Sequence, residues 1–195
     1  MIEHEKKIRL TEEEYHYLMR YIGNCLPTVR QVNHYFDTDD FSMNQKGVTC
    51  RIREKNGVLK ATYKDHRQGK AFCSKEISCC VSNGLTDNDF TDMGLQYQGC
   101  LETYRTVILK QSFCTMVLDR NEYFGMTDYE LEAEYTEGYE DRVTDCIREL
   151  FEFLGFIEKS DGFAPINVRI AQSKSKSERF FERKSCLQLQ TKSEA

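Results

Sequence analysis

The chain opens on residues 2–10 (IEHEKKIRL), where residue type alternates with period 2, and this alternation predicts a β-strand. Thr11 followed by Glu14 has the form of a capping box. Tyr15, Leu18, Met19 and Ile22 then recur at helical spacing, so a helix is expected up to Gly23-Asn24. Strand patterning returns over 31–38, and the stretches 48–54 and 58–64 flank Asn56-Gly57, a strong hairpin signal. Residues 70–81 read as a further strand and 86–93 as a short polar helix. The stretches 101–110 and 113–120 form a hairpin pattern turning at Gln111-Ser112, and 128–135 alternates once more. Residues 139–154 place Val143, Ile147, Leu150, Phe151 and Leu154 on one helical face, closed by Gly155. Residues 172–184 read as a basic loop with a short helix, and 185–195 as a polar, disordered tail. Elements joined mostly by hairpins predict a single antiparallel α+β domain over residues 1–184, with about eight strands.

Residues two apart in a strand share a face. On that rule Glu3, Glu5, Lys7 and Arg9 line one face of the first strand. Arg51 and Arg53 share a face before the hairpin, and Lys60, Thr62 and Lys64 share one after it. Glu130, Glu132 and Glu134 share a face whose reverse, Tyr129, Leu131, Ala133 and Tyr135, is apolar. The bland reading is the wet face of a half-buried sheet. With 30% of residues charged, one such stripe is expected by chance. Solvent faces, however, mix signs within a strand to gain cross-strand pairs, whereas these later stripes carry one sign each. Lysines and arginines turned into one cavity repel until an anion neutralises them. A triphosphate does so through charge-assisted, bidentate hydrogen bonds. Carboxylates on the same wall suit Mg²⁺ or Mn²⁺, hard cations that bridge to phosphate oxygens.

The net charge of −5 argues against nucleic acid as partner, so a polyanion site has to be a local concentration of bases. No stretch approaches the roughly 18 apolar residues of a membrane span. The opening residues carry no signal-peptide pattern, and the nine scattered cysteines form no CxxC pair. Reduced thiols and a cytoplasmic location are therefore expected.

At Glu3-His4-Glu5-Lys6-Lys7 the sequence resembles the CYTH superfamily, the triphosphate tunnel metalloenzymes, through an ExExK run. The resemblance continues through Tyr35-Phe36-Asp37-Thr38, Cys50-Arg51-Ile52-Arg53, Lys60 and Lys64. It extends through Tyr104-Arg105-Thr106, Leu118-Asp119-Arg120 and Tyr129-Glu130-Leu131-Glu132. The run Ser175–Phe181 looks like the end of small CYTH proteins of Gram-positive bacteria. The resemblance implies an eight-stranded antiparallel β-barrel, a tunnel with helices packed outside. It implies a divalent metal on Glu3, Glu5, Glu130 and Glu132, and phosphates on Lys7, Arg9, Arg51, Arg53, Lys64 and Arg105. Glu5 and Lys176 would be catalytic, with Lys176 closing the site (Lys174 is nearly as good a candidate). Lys60, Glu76 and Asp119 would be further wall residues. Where the family often has a second acid two residues after Glu76, this chain has Ser78, which puts a second metal site in doubt.

The activity implied is metal-dependent hydrolysis of a triphosphate, either inorganic triphosphate or a triphosphorylated small molecule. A class IV adenylyl cyclase and a thiamine triphosphatase are the alternatives within the family. A non-catalytic module that binds polyphosphate is the alternative of another class. A homodimer is compatible with such a barrel, and no interface patch is legible.

Overall fold

The computed structural model describes residues 2–66, 73–81, 89–155 and 165–193. Eight strands close into one barrel in the order β1-β5-β4-β3-β2-β6-β7-β8, with every neighbouring pair antiparallel. They are β1 (Ile2–Leu10), β2 (Thr28–Asp37), β3 (Val48–Lys55), β4 (Val58–Asp65), β5 (Cys73–Cys80), β6 (Gln96–Lys110), β7 (Cys114–Tyr123) and β8 (Met126–Tyr135). The helices are α1 (Glu12–Leu18), continued by a π-helical turn over Met19–Gly23, α2 (Ser42–Gln45), α3 (Asp89–Asp92), α4 (Glu140–Phe153), α5 (Ile166–Gln172) and α6 (Lys176–Ser193). Residues 70–72 of the strand expected over 70–81 and residues 86–88 of the polar helix expected over 86–93 lie outside the described residues.

Local chemistry accounts for the joints. Thr11 and Glu14 form the reciprocal capping box that starts α1. Asn56 and Gly57 sit at φ 50° and 75°, the left-handed pair that a two-residue hairpin turn requires, so Lys55 pairs with Val58. The outward faces of β1, β7 and β8 carry Ile8, Leu10, Met116, Leu118, Leu131 and Ala133. Tyr15 and Leu18 of α1, Val143, Ile147 and Phe151 of α4 and Ile170 of α5 bury them. A second outer cluster packs Phe90 of α3 on Phe36, Cys50 and Ile52 of β2 and β3.

The third cluster lies at one end of the bore. Phe180 and Phe181 of α6 pack against Tyr35, Leu101 and Tyr123, with the Phe180 ring tilted against the Tyr35 ring at 4.7 Å. Gly99, at φ +125°, makes room for this: a Cβ there would lie 3.2 Å from the Phe180 ring. The first turns of α6 thus fill the barrel at this end. That helix also runs on to Ser193, where the polar composition predicts a tail. Residues 185–193 contain no glycine or proline and include two leucines and two glutamines, which favour helix once an anchored turn precedes them.

Candidate functional site

In an eight-strand barrel, β1 and β8 lie side by side and β2 and β3 lie across the bore from them. That order sets an acid-rich wall against a base-rich wall. A cavity of about 240 Å³ separates the two, bounded at one end by Ser175 and by Lys176 and Ser177 of α6.

On the acid wall Glu3, Glu5 and Lys7 of β1 lie next to Glu132 and Glu134 of β8. The register pairs Lys7 with Glu132 and Glu5 with Glu134. Glu5 accepts hydrogen bonds from Lys7 at 2.9 Å and Lys64 at 3.2 Å, and Lys64 also bridges to Glu3 at 3.0 Å. Burial alone would raise the Glu5 carboxyl, but Lys7 and Lys64 outweigh it and hold it at about 2. Glu134 behaves oppositely. Burial, then the neighbouring Glu132, push its carboxyl above the ordinary range, and Glu3 and Glu5 add to the rise against Arg105. A carboxylate crowded by carboxylates is one that a cation would relieve.

Behind this wall Asp119, Glu130 and Glu132 bring one oxygen each within 4.8 Å of one another, all buried. Such an all-oxygen donor set fits a hard divalent cation. The ammonium of Lys176 sits among them, 2.9 Å from Asp119 and 2.7 Å from Glu132, with a very short contact to Glu130. Burial opposes its charge, but Asp119, Glu130 and Glu132 hold it well above the usual lysine range. Arg179 binds the other Glu130 oxygen at 2.7 Å, and Arg105 grips Asp119 through two hydrogen bonds of 2.9 and 2.7 Å. Every oxygen of Asp119 and Glu130 therefore already meets a protein cation. The acids with fewer cations on them are Glu3 and Glu134.

The opposite wall carries Arg51 and Arg53 of β3, flanked by Lys60 and Lys64 of β4 and Arg105 of β6. Arg53 is crowded by bases: burial, then Arg51 and Arg105, lower its guanidinium to about 10. Arg51 meets a carboxylate only loosely, Glu76 at 3.8 Å. His66 also lines the cavity, its ring nitrogen 3.4 Å from Thr49, which in turn donates to Ser177 of α6 at 2.8 Å. Burial, then Lys64, lowers the imidazole to about 4, so it is neutral at pH 7.

Most of the residues expected from sequence meet here: Glu3, Glu5, Lys7, Arg51, Arg53, Lys60, Lys64, Glu76, Arg105, Glu132 and Lys176 all line the cavity. Asp119 and Glu130 lie behind the lining, tied to Lys176. Arg9 departs from the expectation. It stands at the end of β1 beyond the cavity, bonded to Asp128 at 2.8 Å with 42% of its side chain exposed, because α5 and α6 occupy that end of the barrel. Lys174 is turned outward onto Glu182, so the inward lysine is Lys176. Six cavity residues lie outside the expected set: Tyr35, Thr49, His66, Glu134, Ser175 and Ser177. Glu134 is marked by the same alternation as Glu130 and Glu132. Tyr35 was visible only as part of a strand motif. His66, at a strand end, carried no pattern that distinguished it.

The family model for the CYTH domain matches residues 1–162. YjbK of Bacillus subtilis strain 168, a candidate triphosphatase, is 30% identical over 164 residues, spanning 72% of this chain and 81% of that protein. A crystal structure of a candidate adenylate cyclase from Bacillus halodurans superimposes with a TM-score of 0.68 at 25% identity, over 92% of this chain and 97% of that one. HpAC1 from Hippeastrum, an adenylyl cyclase candidate described as having a dominant triphosphatase activity, shares the fold. Its TM-score is 0.64 at 20% identity, over 90% of this chain and 99% of that one. The chain belongs to the CYTH domain family. No helix among the described residues is long and apolar enough to cross a membrane.

Proposed function

We propose that the protein hydrolyses a triphosphate, inorganic triphosphate or a triphosphorylated small molecule, inside the barrel with a divalent metal bound. The observation that carries this reading is the acid wall set against the base wall across one bore. In this reading Arg51, Arg53, Lys60 and Arg105 hold the phosphate chain and offset charge building on the leaving phosphate. Lys7 and Lys64 keep Glu5 and Glu3 ionised. A water on the acid wall, its proton accepted by a wall carboxylate, attacks the terminal phosphorus in line. Mg²⁺ or Mn²⁺ would be held by Glu3, Glu5, Glu132 and Glu134, with Glu130 joining only where Lys176 gives way. When bound it would supply Lewis-acid polarisation of the phosphoryl oxygens. The triphosphatase naming of the Bacillus subtilis relative agrees with this assignment.

Inorganic triphosphate is the favoured substrate because Tyr35 and His66 are the only rings among the described residues lining the cavity, and Tyr35 is held by Phe180. Phosphate release from triphosphate, ATP and thiamine triphosphate, with and without Mn²⁺, tests the reading. Metal-dependent turnover of triphosphate is expected, and Glu5→Gln should abolish it while the protein stays folded. Release of pyrophosphate with cyclic AMP from ATP would replace the hydrolase by a cyclase. A melting-temperature rise with triphosphate but no turnover of any substrate would replace it by a binding module.

A further inference from the structure

Tyr35 is fully buried, at 0% exposure, yet its hydroxyl has no hydrogen-bond partner among the described residues. It lines the cavity. An unsatisfied buried hydroxyl is unfavourable, and native structures rarely tolerate one without a use for it. Two neighbours share the condition. The Nε of Arg51, directly across the strand pair from Tyr35, is also buried without a partner. The amide nitrogen of Asn33, two residues before Tyr35 on the same face, is a third unpaired donor, while its oxygen accepts from Arg53 at 2.9 Å. Asn33, Tyr35, Arg51 and Arg53 thus make a two-by-two patch on β2 and β3, rich in donors, facing the acid wall.

We propose that the Tyr35 hydroxyl is a substrate-binding donor, giving its hydrogen bond to a non-bridging oxygen of the bound phosphate chain beside Arg51 and Arg53. This rests on the phosphate reading of the cavity. The choice of a phenol has a physical reason. The wall is already crowded with cations, as the lowered Arg53 shows, and a further lysine or arginine would destabilise the empty site. A phenol adds a directed donor and no charge. Its direction is fixed from behind, because the Phe180 ring lies tilted against the Tyr35 ring at 4.7 Å and Phe181 meets its edge at 5.9 Å. The C-terminal helix that closes the bore therefore also aims this donor. Positioned before the ligand arrives, it loses little entropy on binding.

Tyr35→Phe keeps the ring and removes the hydroxyl. Isothermal titration with inorganic triphosphate in EDTA is run on both proteins, alongside their melting temperatures without ligand. The variant is expected to melt at or above the wild-type temperature, since it loses only an unsatisfied group, and to bind triphosphate roughly 10- to 100-fold more weakly. Wild-type binding with an unchanged Tyr35→Phe affinity overturns the inference and leaves the phosphate reading intact. A weaker affinity accompanied by a lower ligand-free melting temperature also overturns it, by making Tyr35 a packing residue. Absence of triphosphate binding in the wild type, both in EDTA and with Mg²⁺ added, overturns the phosphate reading itself, and the inference with it.

Discussion

Glu5 and Glu134 stand directly opposite each other on β1 and β8, two carboxylates in a cross-strand position where unlike charges normally meet. Glu5 is neutralised by lysines, and Glu134, with 53% of its side chain exposed, carries the repulsion as a raised carboxyl. Glu134→Gln should therefore stabilise the metal-free protein by about 0.5–1 kcal/mol, roughly 1–4 °C at this chain length. The same substitution should remove most of the melting-temperature gain on adding Mn²⁺. Thermal unfolding in EDTA and in Mn²⁺ measures both. A variant that melts lower in EDTA, or that keeps the full metal response, would show that Glu134 is not a site acid.

Lys176 neutralises three buried carboxylates at once. Lys176→Met leaves them short of one cation, and a loss of about 3–5 kcal/mol is expected, as for breaking a buried ion pair from one side. Adding Mn²⁺ should return more stability to this variant than to the wild type, because Asp119, Glu130 and Glu132 form a ready oxygen donor set once the ammonium is gone. Urea unfolding with and without metal gives the two numbers. Equal stability of variant and wild type without metal would mean the cluster does not depend on the lysine.

Two arginines that look alike in sequence should separate in the kinetics. Arg51→Ala removes a cavity base with only a distant carboxylate, and kcat/KM for triphosphate should fall at least about tenfold with little change in stability. Arg9→Ala removes a group outside the cavity, so turnover should stay within about twofold. Stability should change by about 1 kcal/mol or less, since the pair with Asp128 is partly exposed. Matching losses of turnover in both variants would place Arg9 back in the site.

His66 ties stability to pH. Its imidazole is at about 4 in the folded protein against an ordinary value of 6.5, so between these values the unfolded chain binds more protons and stability falls as pH falls. Below about pH 4 both states are protonated and the slope ends. His66→Gln should flatten the urea-derived stability curve between pH 6.5 and 4, by no more than about 3 kcal/mol across the window. A curve parallel to the wild type would show that the ring is accessible to protons in the folded state.

Strand alternation was enough to place Glu3, Glu5 and Lys7 on one wall and Arg51 and Arg53 on another, because period 2 is a local property of the backbone. It carries no information about depth along the barrel axis. Arg9 continues the stripe of Lys7 faultlessly and still falls outside the cavity. That the two walls face each other depends on the β1–β5 and β2–β6 pairings, which join residues some seventy positions apart, and no local pattern encodes them. The last helix was more legible than its basic composition suggests. Ser175 and Glu178 form a capping box, each side chain on the other's backbone nitrogen, and the three-residue spacing is plain in the sequence. What the spacing could not reveal is that the helix beginning there enters the bore and presents Lys176 to carboxylates more than forty residues earlier in the chain.

That long reach bears on how the molecule is made. All eight strands precede residue 136, but the ammonium that reconciles Asp119, Glu130 and Glu132 arrives only with residue 176. A nascent chain whose barrel strands have emerged, but not α6, holds a cluster of acids with too few partners and an unfilled apolar end at Tyr35, Leu101 and Tyr123. Such a chain is the one most exposed to wrong contacts, as partly assembled β structure generally is. Filling of that end of the bore therefore waits for α6, and the vulnerable period in synthesis is the interval between β8 and α6.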